Sequence, residues 1–309
     1  LSNLPIPILF HIAKFFDEKT RSEFRQCTQL TKFIADHSIF QWPLSFSIVE
    51  NKNSLKISVT YGIGMSLTHK YTQIAKNCVL RLTSSYRTKP TFITYKNTNY
   101  LDQGLKFAYL SLKNLKNPSK IGSTAEIDLQ FFPQKLLNLN FFRAASQLQL
   151  AVNDENQAEI IDFLDQRPVD QKIEIVLPWS KVGTGYKLEK SFFRRNFMKK
   201  LKNLSILTFC EIEDEDFVDS EVENLKLIGA EISDQAINRK IQKWIEKPIK
   251  IEFLIQKLQV DREILDENVI LENLEATKIE ENFWKVTSKN GEKIARIEFL
   301  TKGVRFVST

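Results

Sequence analysis

A chain of 309 residues that is 42% hydrophobic and 27% charged, with nine glycines and nine prolines, is too apolar for a disordered or low-complexity protein and long enough for about two domains. No run reaches the ~18 apolar residues of a membrane-spanning helix. The net charge of +6 is unevenly spread: residues 41–120 hold twelve Lys and Arg against Glu50 and Asp102 alone, whereas residues 121–309 carry about −5.

The opening stretch, "LSNLPIPILFHIAKFFDEKTRSEFRQC", lacks the basic n-region and small-residue cleavage site of a secretory signal. Residues 4–16 and 18–34 read as two helices. In the first, Ile8, Ile12 and Phe16 recur at i, i+4 and i+8, and Leu9 and Phe10 widen the stripe. Pro5 and Pro7 fall in a first turn, where a missing N–H is tolerated. In the second, Thr20 can cap, and Phe24, Cys27, Leu30, Thr31 and Phe33 continue an apolar face.

From Trp42 to about Phe131 the period changes to 2. "LSFSIVE", "SLKISVTYG", "CVLRLTS", "TFITYKN" and "LKFAYLSL" are rich in β-branched and aromatic residues and separated by Asn, Gly or Pro. These read as a small antiparallel sheet whose polar alternates, mostly Lys, Ser and Thr, make one solvated basic face. After about Leu136 strands and helices alternate: "QLQLAV" before "ENQAEIIDFLDQ", "KIEIVLPW" before "LEKSFFRRNFMKKL", "LSILTFCEI" before an acidic turn, "NLKLIGAEIS" before "DQAINRKIQKWIEK", and then "PIKIEFLIQKL". Strand starts every ~20–30 residues match leucine-rich-repeat spacing without the strict consensus. Asn290-Gly291, between alternating runs, predicts a two-residue hairpin, and Gly303 a further strand. The fold class expected is therefore α+β in three regions. N-terminal helices occupy 1–42 and a basic β-rich middle 43–135. A degenerate, leucine-rich-repeat-like strand–helix array with a parallel sheet, ending in an antiparallel hairpin, occupies 136–309.

Chemistry-bearing motifs are sparse. His11, His37 and His69 are scattered, with no carboxylate or cysteine at ligand spacing, so neither a metal nor a Cys–His pair is expected. Cys27, Cys78 and Cys210 form no CxxC, which points to a reducing compartment, cytoplasmic or nuclear. "GIG" (62–64) and "VGTGYK" (182–187) supply neither a P-loop nor a full GxGxxG. The acidic run 211–223 lacks the glycine of a calcium loop and reads as a solvated segment facing the basic stretch 187–202. No cofactor is expected, and no catalytic residues are assigned. The basic sheet face, with Lys56, Arg81, Arg87 and Lys96, is a candidate surface for RNA or an anionic protein, the plainer alternative being an ordinary solvated face.

The opening residues carry a resemblance. "LPIPILFHIAKFFDEKTRSEFRQC" resembles an F-box of the divergent kind that has multiplied in nematodes, through Leu4-Pro5, Ile8, Leu9, Ile12 and Phe16-Asp17, with Phe24 and Cys27 at apolar positions of the second helix. A second resemblance, to the F-box-associated domain of the same families, rests on "LKLIGAEISDQAINRKIQKWI" with Asn238 and Trp244, and on "FWKVTSKNGEKIARIEF" with Gly291. The two imply a non-enzymatic substrate receptor of a cullin–RING ubiquitin ligase. Its Leu4, Pro5, Ile8, Leu9, Ile12, Phe16, Phe24 and Cys27 would dock on the Skp adaptor, and through it the cullin. The larger C-terminal part would hold a protein substrate. No membrane partner is expected.

Overall fold

The computed structural model describes residues 12–13, 16, 18–28, 31, 43–60, 66–85, 89–113, 123–131, 133–166, 171–177, 186–257 and 265–308. It is a mixed α/β protein with extensive mixed sheet and few helices, and it divides into two compact units. One comprises Leu1–Glu126 with Pro133–Ala145, and the other Ile127–Phe132 with Ser146–Thr309.

In the first unit, helix α1 (Glu18–Cys27) precedes five antiparallel strands, β1 (Ser45–Asn51), β2 (Ser54–Thr60), β3 (Ser66–Ile74), β4 (Asn77–Ser84) and β5 (Thr91–Tyr95), each paired with its neighbour in chain order. Strict alternation puts Phe46, Ile48, Leu55, Ile57, Val59, Tyr71, Cys78 and Leu80 on one buried face. Helix α2 (Tyr100–Leu112) covers that face. Asn99 caps it by accepting from the Leu101 N–H, and Gly104, Ala108 and Leu112 form its buried stripe at i, i+4, i+8.

The period-2 reading of "LKFAYLSL" as a strand is thus corrected to helix. The alternation K-F-A-Y is also compatible with a 3.6-residue stripe, and the cap and the i, i+4 burial decide it. At Gly104 a Cβ would stand 2.4 Å from Leu55 Cδ2, so any other residue would have to displace the buried Leu55 side chain for the helix to lie this close to the sheet. Strand β6 (Thr124–Asp128) and two short helices, α3 (Gln134–Leu137) and α4 (Asn140–Ala144), follow. Phe141 and Phe142 of α4 pack edge-on against Phe46, at 6.0 and 5.6 Å between centroids.

In the second unit β7 (Gln147–Ala151), β8 (Lys172–Val176), β9 (Asn203–Leu207), β10 (Asn224–Ile228) and β11 (Glu252–Gln256) lie parallel, in chain order, each beside the next. Between them run α5 (Gln157–Asp165), α6 (Lys190–Phe193), α7 (Asp214–Asp219) and α8 (Asp234–Glu246). The expected helix over "LEKSFFRRNFMKKL" is instead the four-residue α6 and a 3₁₀ turn, Asn196–Lys199. Arg195 is extended between them, and the Asp165 carboxylate accepts the Phe197 N–H. That reset in phase lets Phe192, Phe193, Phe197 and Met198 all point inward, which one continuous helix could not do.

After α9 (Glu267–Leu271), β12 (Ala276–Glu280), β13 (Phe283–Thr287), β14 (Ile294–Leu300) and β15 (Gly303–Ser308) form an antiparallel meander, with β15 pairing antiparallel to β11. The turn at Asn290-Gly291 spans residues 288–293 rather than two residues. The Asn290 side chain accepts from the Glu292 N–H, and Gly291, at φ +73°, donates to the Ser288 carbonyl, so the side chain builds a longer turn of its own. The core of this unit is aromatic where α8 meets the sheet: Phe306 lies 5.1 Å from Phe253, stacked, and 5.3 Å from Trp244, edge-on.

The acidic run 211–223 carries α7 and pairs with both neighbouring elements. Glu213 and Asp216 meet Arg194, Glu213 meets Lys190, and Glu215 and Asp219 meet Arg239 and Lys243 of α8. Apart from the half-buried Asp216 these are exposed groups, and exposed pairs are worth no more than about 1 kcal/mol each.

Candidate functional site

The face of the first sheet opposite α2 carries an unusual row. In cross-strand register, Val49 stands opposite Lys56, Lys56 opposite Lys70, Lys70 opposite Arg81 and Arg81 opposite Phe92. Three cations therefore sit side by side on β2, β3 and β4, all exposed, and the row ends at Phe92, which is 62% exposed. Phe92 has the largest exposure of the large hydrophobic side chains described.

The adjoining row is Ser47, Ser58, Thr68 and Thr83, with Ser58 Oγ 3.3 Å from Thr68 Oγ1, and beyond it lie Ser45, Thr60 and Ser66. Glu126 and Asp128 lie on β6, the strand beside β1, and among β1–β5 the one carboxylate is Glu50. It faces the other way, buried, and accepts from the Tyr100 hydroxyl at 2.9 Å. Among the described residues none of Lys56, Lys70 and Arg81 is paired with a carboxylate.

The residues named from the sequence for this face, Lys56, Arg81, Arg87 and Lys96, are not all brought together. Lys56 and Arg81 share it, whereas Lys96 lies exposed in the turn after β5 and Arg87 lies outside the described residues. Lys70 and Phe92 are the additions. Lys70 belongs to β3, a strand the hydrophobic pattern does not announce, because Thr68, His69, Lys70, Thr72 and Gln73 make it polar on both sides. Phe92 lies in a strand the pattern does announce, and alternation alone leaves open which of its faces is solvated.

The opposite face is structural. His69 lies flat on Phe107 at 3.9 Å, its Nδ1 buried without a hydrogen-bond partner among the described residues, and burial lowers its pKa to about 4. Tyr71 and Cys78 are also turned inward, and burial raises both above their ordinary values.

Of the residues expected to dock on the adaptor, Leu4, Pro5, Ile8 and Leu9 lie outside the described residues. Ile12 and Phe16 are half-buried, Phe24 is buried on α1 with its ring 5.0 Å from that of Phe16, edge-on, and Cys27 is exposed at the end of α1.

Two further groups have perturbed acidity for structural reasons. Lys240 is buried and donates to the carbonyls of Phe217 and Ser220 at 2.8 and 2.9 Å, tying α8 to the end of α7, and burial lowers its pKa to about 8. Burial pushes the Cys210 thiol up to about 12, away from thiolate chemistry. Among the described residues no group of three or more His, Cys, Asp or Glu could hold a metal ion, and no helix is long and apolar enough to cross a membrane. No family model, curated protein or solved structure matches the chain.

Proposed function

We propose that the chain is a non-catalytic substrate receptor of a cullin–RING ubiquitin ligase. The observation that carries this reading is the sequence "LPIPILFHIAKFFDEKTRSEFRQC", with its F-box pattern. Residues 4–33 dock on the Skp adaptor, the adaptor joins the cullin, and acyl transfer takes place on other subunits. The helical form of Glu18–Cys27 and the inward packing of Phe24 on Phe16 support a helical module there, and the exposed Cys27 leaves a surface for a partner.

The parallel run β7–β11 is read as a degenerate leucine-rich-repeat-like array. Its strands follow chain order, and Asn203, Asn224, Lys226 and Glu252, together with Leu254 and Leu300, line a shallow cleft of about 280 Å³. A protein substrate is held on this C-terminal region. The working place that follows is the cytoplasm or nucleus.

The test is co-elution of the full chain with purified Skp adaptor. Stoichiometric co-elution is expected, and a wild-type chain that elutes alone overturns the reading. Ile8→Asp with Ile12→Asp should abolish the complex. Because that pair could also unfold the module, Cys27→Glu, a change at an exposed position, is the second variant and should weaken the complex about tenfold. Undiminished binding by both variants would place the docking face elsewhere.

A further inference from the structure

We propose that the open face of the first sheet is a binding site for single-stranded nucleic acid, with Lys56, Lys70 and Arg81 contacting phosphates and Phe92 stacking on a base. This goes beyond the receptor reading and does not rest on it.

The row is costly where it stands. Like charges directly opposite on neighbouring strands destabilise a sheet, and here Lys70 faces a cation on each side. Solubility needs no such arrangement, since the same charges on staggered positions would serve equally. A row of cations with no ion-pair partner among the described residues is complementary to a chain of anions.

Strands lie about 4.8 Å apart, so the row from Lys56 to Phe92 spans about 14 Å, the reach of a few nucleotides. Its hydroxyl neighbours, Ser58, Thr68 and Thr83, supply the neutral donors that commonly accompany phosphate and sugar contacts.

The aromatic end of the row decides between anionic partners. An acidic peptide is satisfied by the charges alone. Phe92, 62% exposed and opposite Arg81, presents a bare ring in line with the cations, and stacking on an unpaired base uses a ring and a charge together. A duplex hides its base faces, so the chemistry selects single strands.

Fluorescence anisotropy of the full chain with a labelled oligouridine of about twelve nucleotides tests the proposal. Three phosphate contacts give a slope near −2 in log K against log salt, that is, an approximately 20-fold loss between about 50 and 200 mM salt. Lys70→Glu should weaken binding more than tenfold and flatten the slope. Phe92→Ala should weaken it roughly fivefold or more with the slope unchanged, since a stacked base is worth about 1–3 kcal/mol. Lys200→Glu, at an exposed position of the second unit, is the control and should leave binding unaltered.

All substituted side chains are exposed, and circular dichroism of each variant verifies the fold. An equal loss in Lys200→Glu would overturn the proposal, since binding would then follow net charge. Absence of oligouridine binding at low salt would also overturn it. So would a labelled oligoglutamate that binds as tightly as oligouridine and depends on Lys70 in the same way, because the face would then serve an acidic protein.

Discussion

His69 shows how one side chain ties the first sheet to the pH of its surroundings. It sits in the middle of β3 with its ring against Phe107, and desolvation holds its pKa at about 4, below the ordinary 6.5. Between those values the unfolded chain binds a proton that the folded chain refuses. The stability contributed by the neutral ring is therefore complete above pH 6.5 and is lost as pH falls toward 4, by up to about 3 kcal/mol. His69→Phe keeps a ring on Phe107 and removes the titration. Chemical denaturation at about pH 7.5 and pH 4.5 should show the wild type losing more stability on acidification than the variant. Equal losses in the two would mean that His69 is protonated in the folded protein. This residue is legible in the sequence as a histidine without ligands nearby. Its burial is not, because the helix that covers it lies some 30 positions further along the chain.

At the scale of elements, the junction between β11 and β15 joins the parallel run to the C-terminal meander. Gly303 sits where a Cβ would stand 2.4 Å from the Ile255 carbonyl oxygen and 3.2 Å from Gln256 Cα, both backbone atoms that cannot move aside without shifting a strand. Gly303→Ala should therefore cost about 2–3 kcal/mol. Gly291→Ala, in open space at φ +73°, should cost only about 1 kcal/mol. Urea unfolding of the two variants should rank them in that order, and a milder effect at Gly303 would mean that β15 can slide on β11.

Helix α8 is the element most fully written in local sequence. Ser233 caps it by accepting from the Ala236 N–H, and Ala236, Ile237, Ile241 and Trp244 recur on its buried face. The Asn238 side chain then donates to the Ile270 and Glu272 carbonyls at 2.8 Å, closing α9 against it. Where two signals compete, local sequence fails: the stretch 105–112 alternates like a strand and folds as α2, and 188–201 has helical composition but breaks at Arg195.

Across the whole molecule, charge is sorted by region: a strongly basic stretch at 41–120 and a mildly acidic one at 121–309. In the second unit the acids of α7 are paired to Arg194, Arg239 and Lys243. On the first sheet the cations Lys56, Lys70 and Arg81 face solvent with no carboxylate beside them among the described residues. Relieving that repulsion should stabilise the protein. Lys70→Thr, which also places a β-branched residue in a strand, is expected to add about 0.5–1 kcal/mol in urea unfolding, and a loss of stability would show that the lysine stem is needed for packing. The sequence alone determined the basic region, the strands of period 2 and the strand–helix alternation after residue 136, because each is a property of neighbours within about ten positions. Only the tertiary structure decided that residues 56, 70, 81 and 92 form a single row. Alternation chooses the face of each strand, but the register between strands depends on the connections and on α2 packing across them, and a slip of one residue would turn the charges inward.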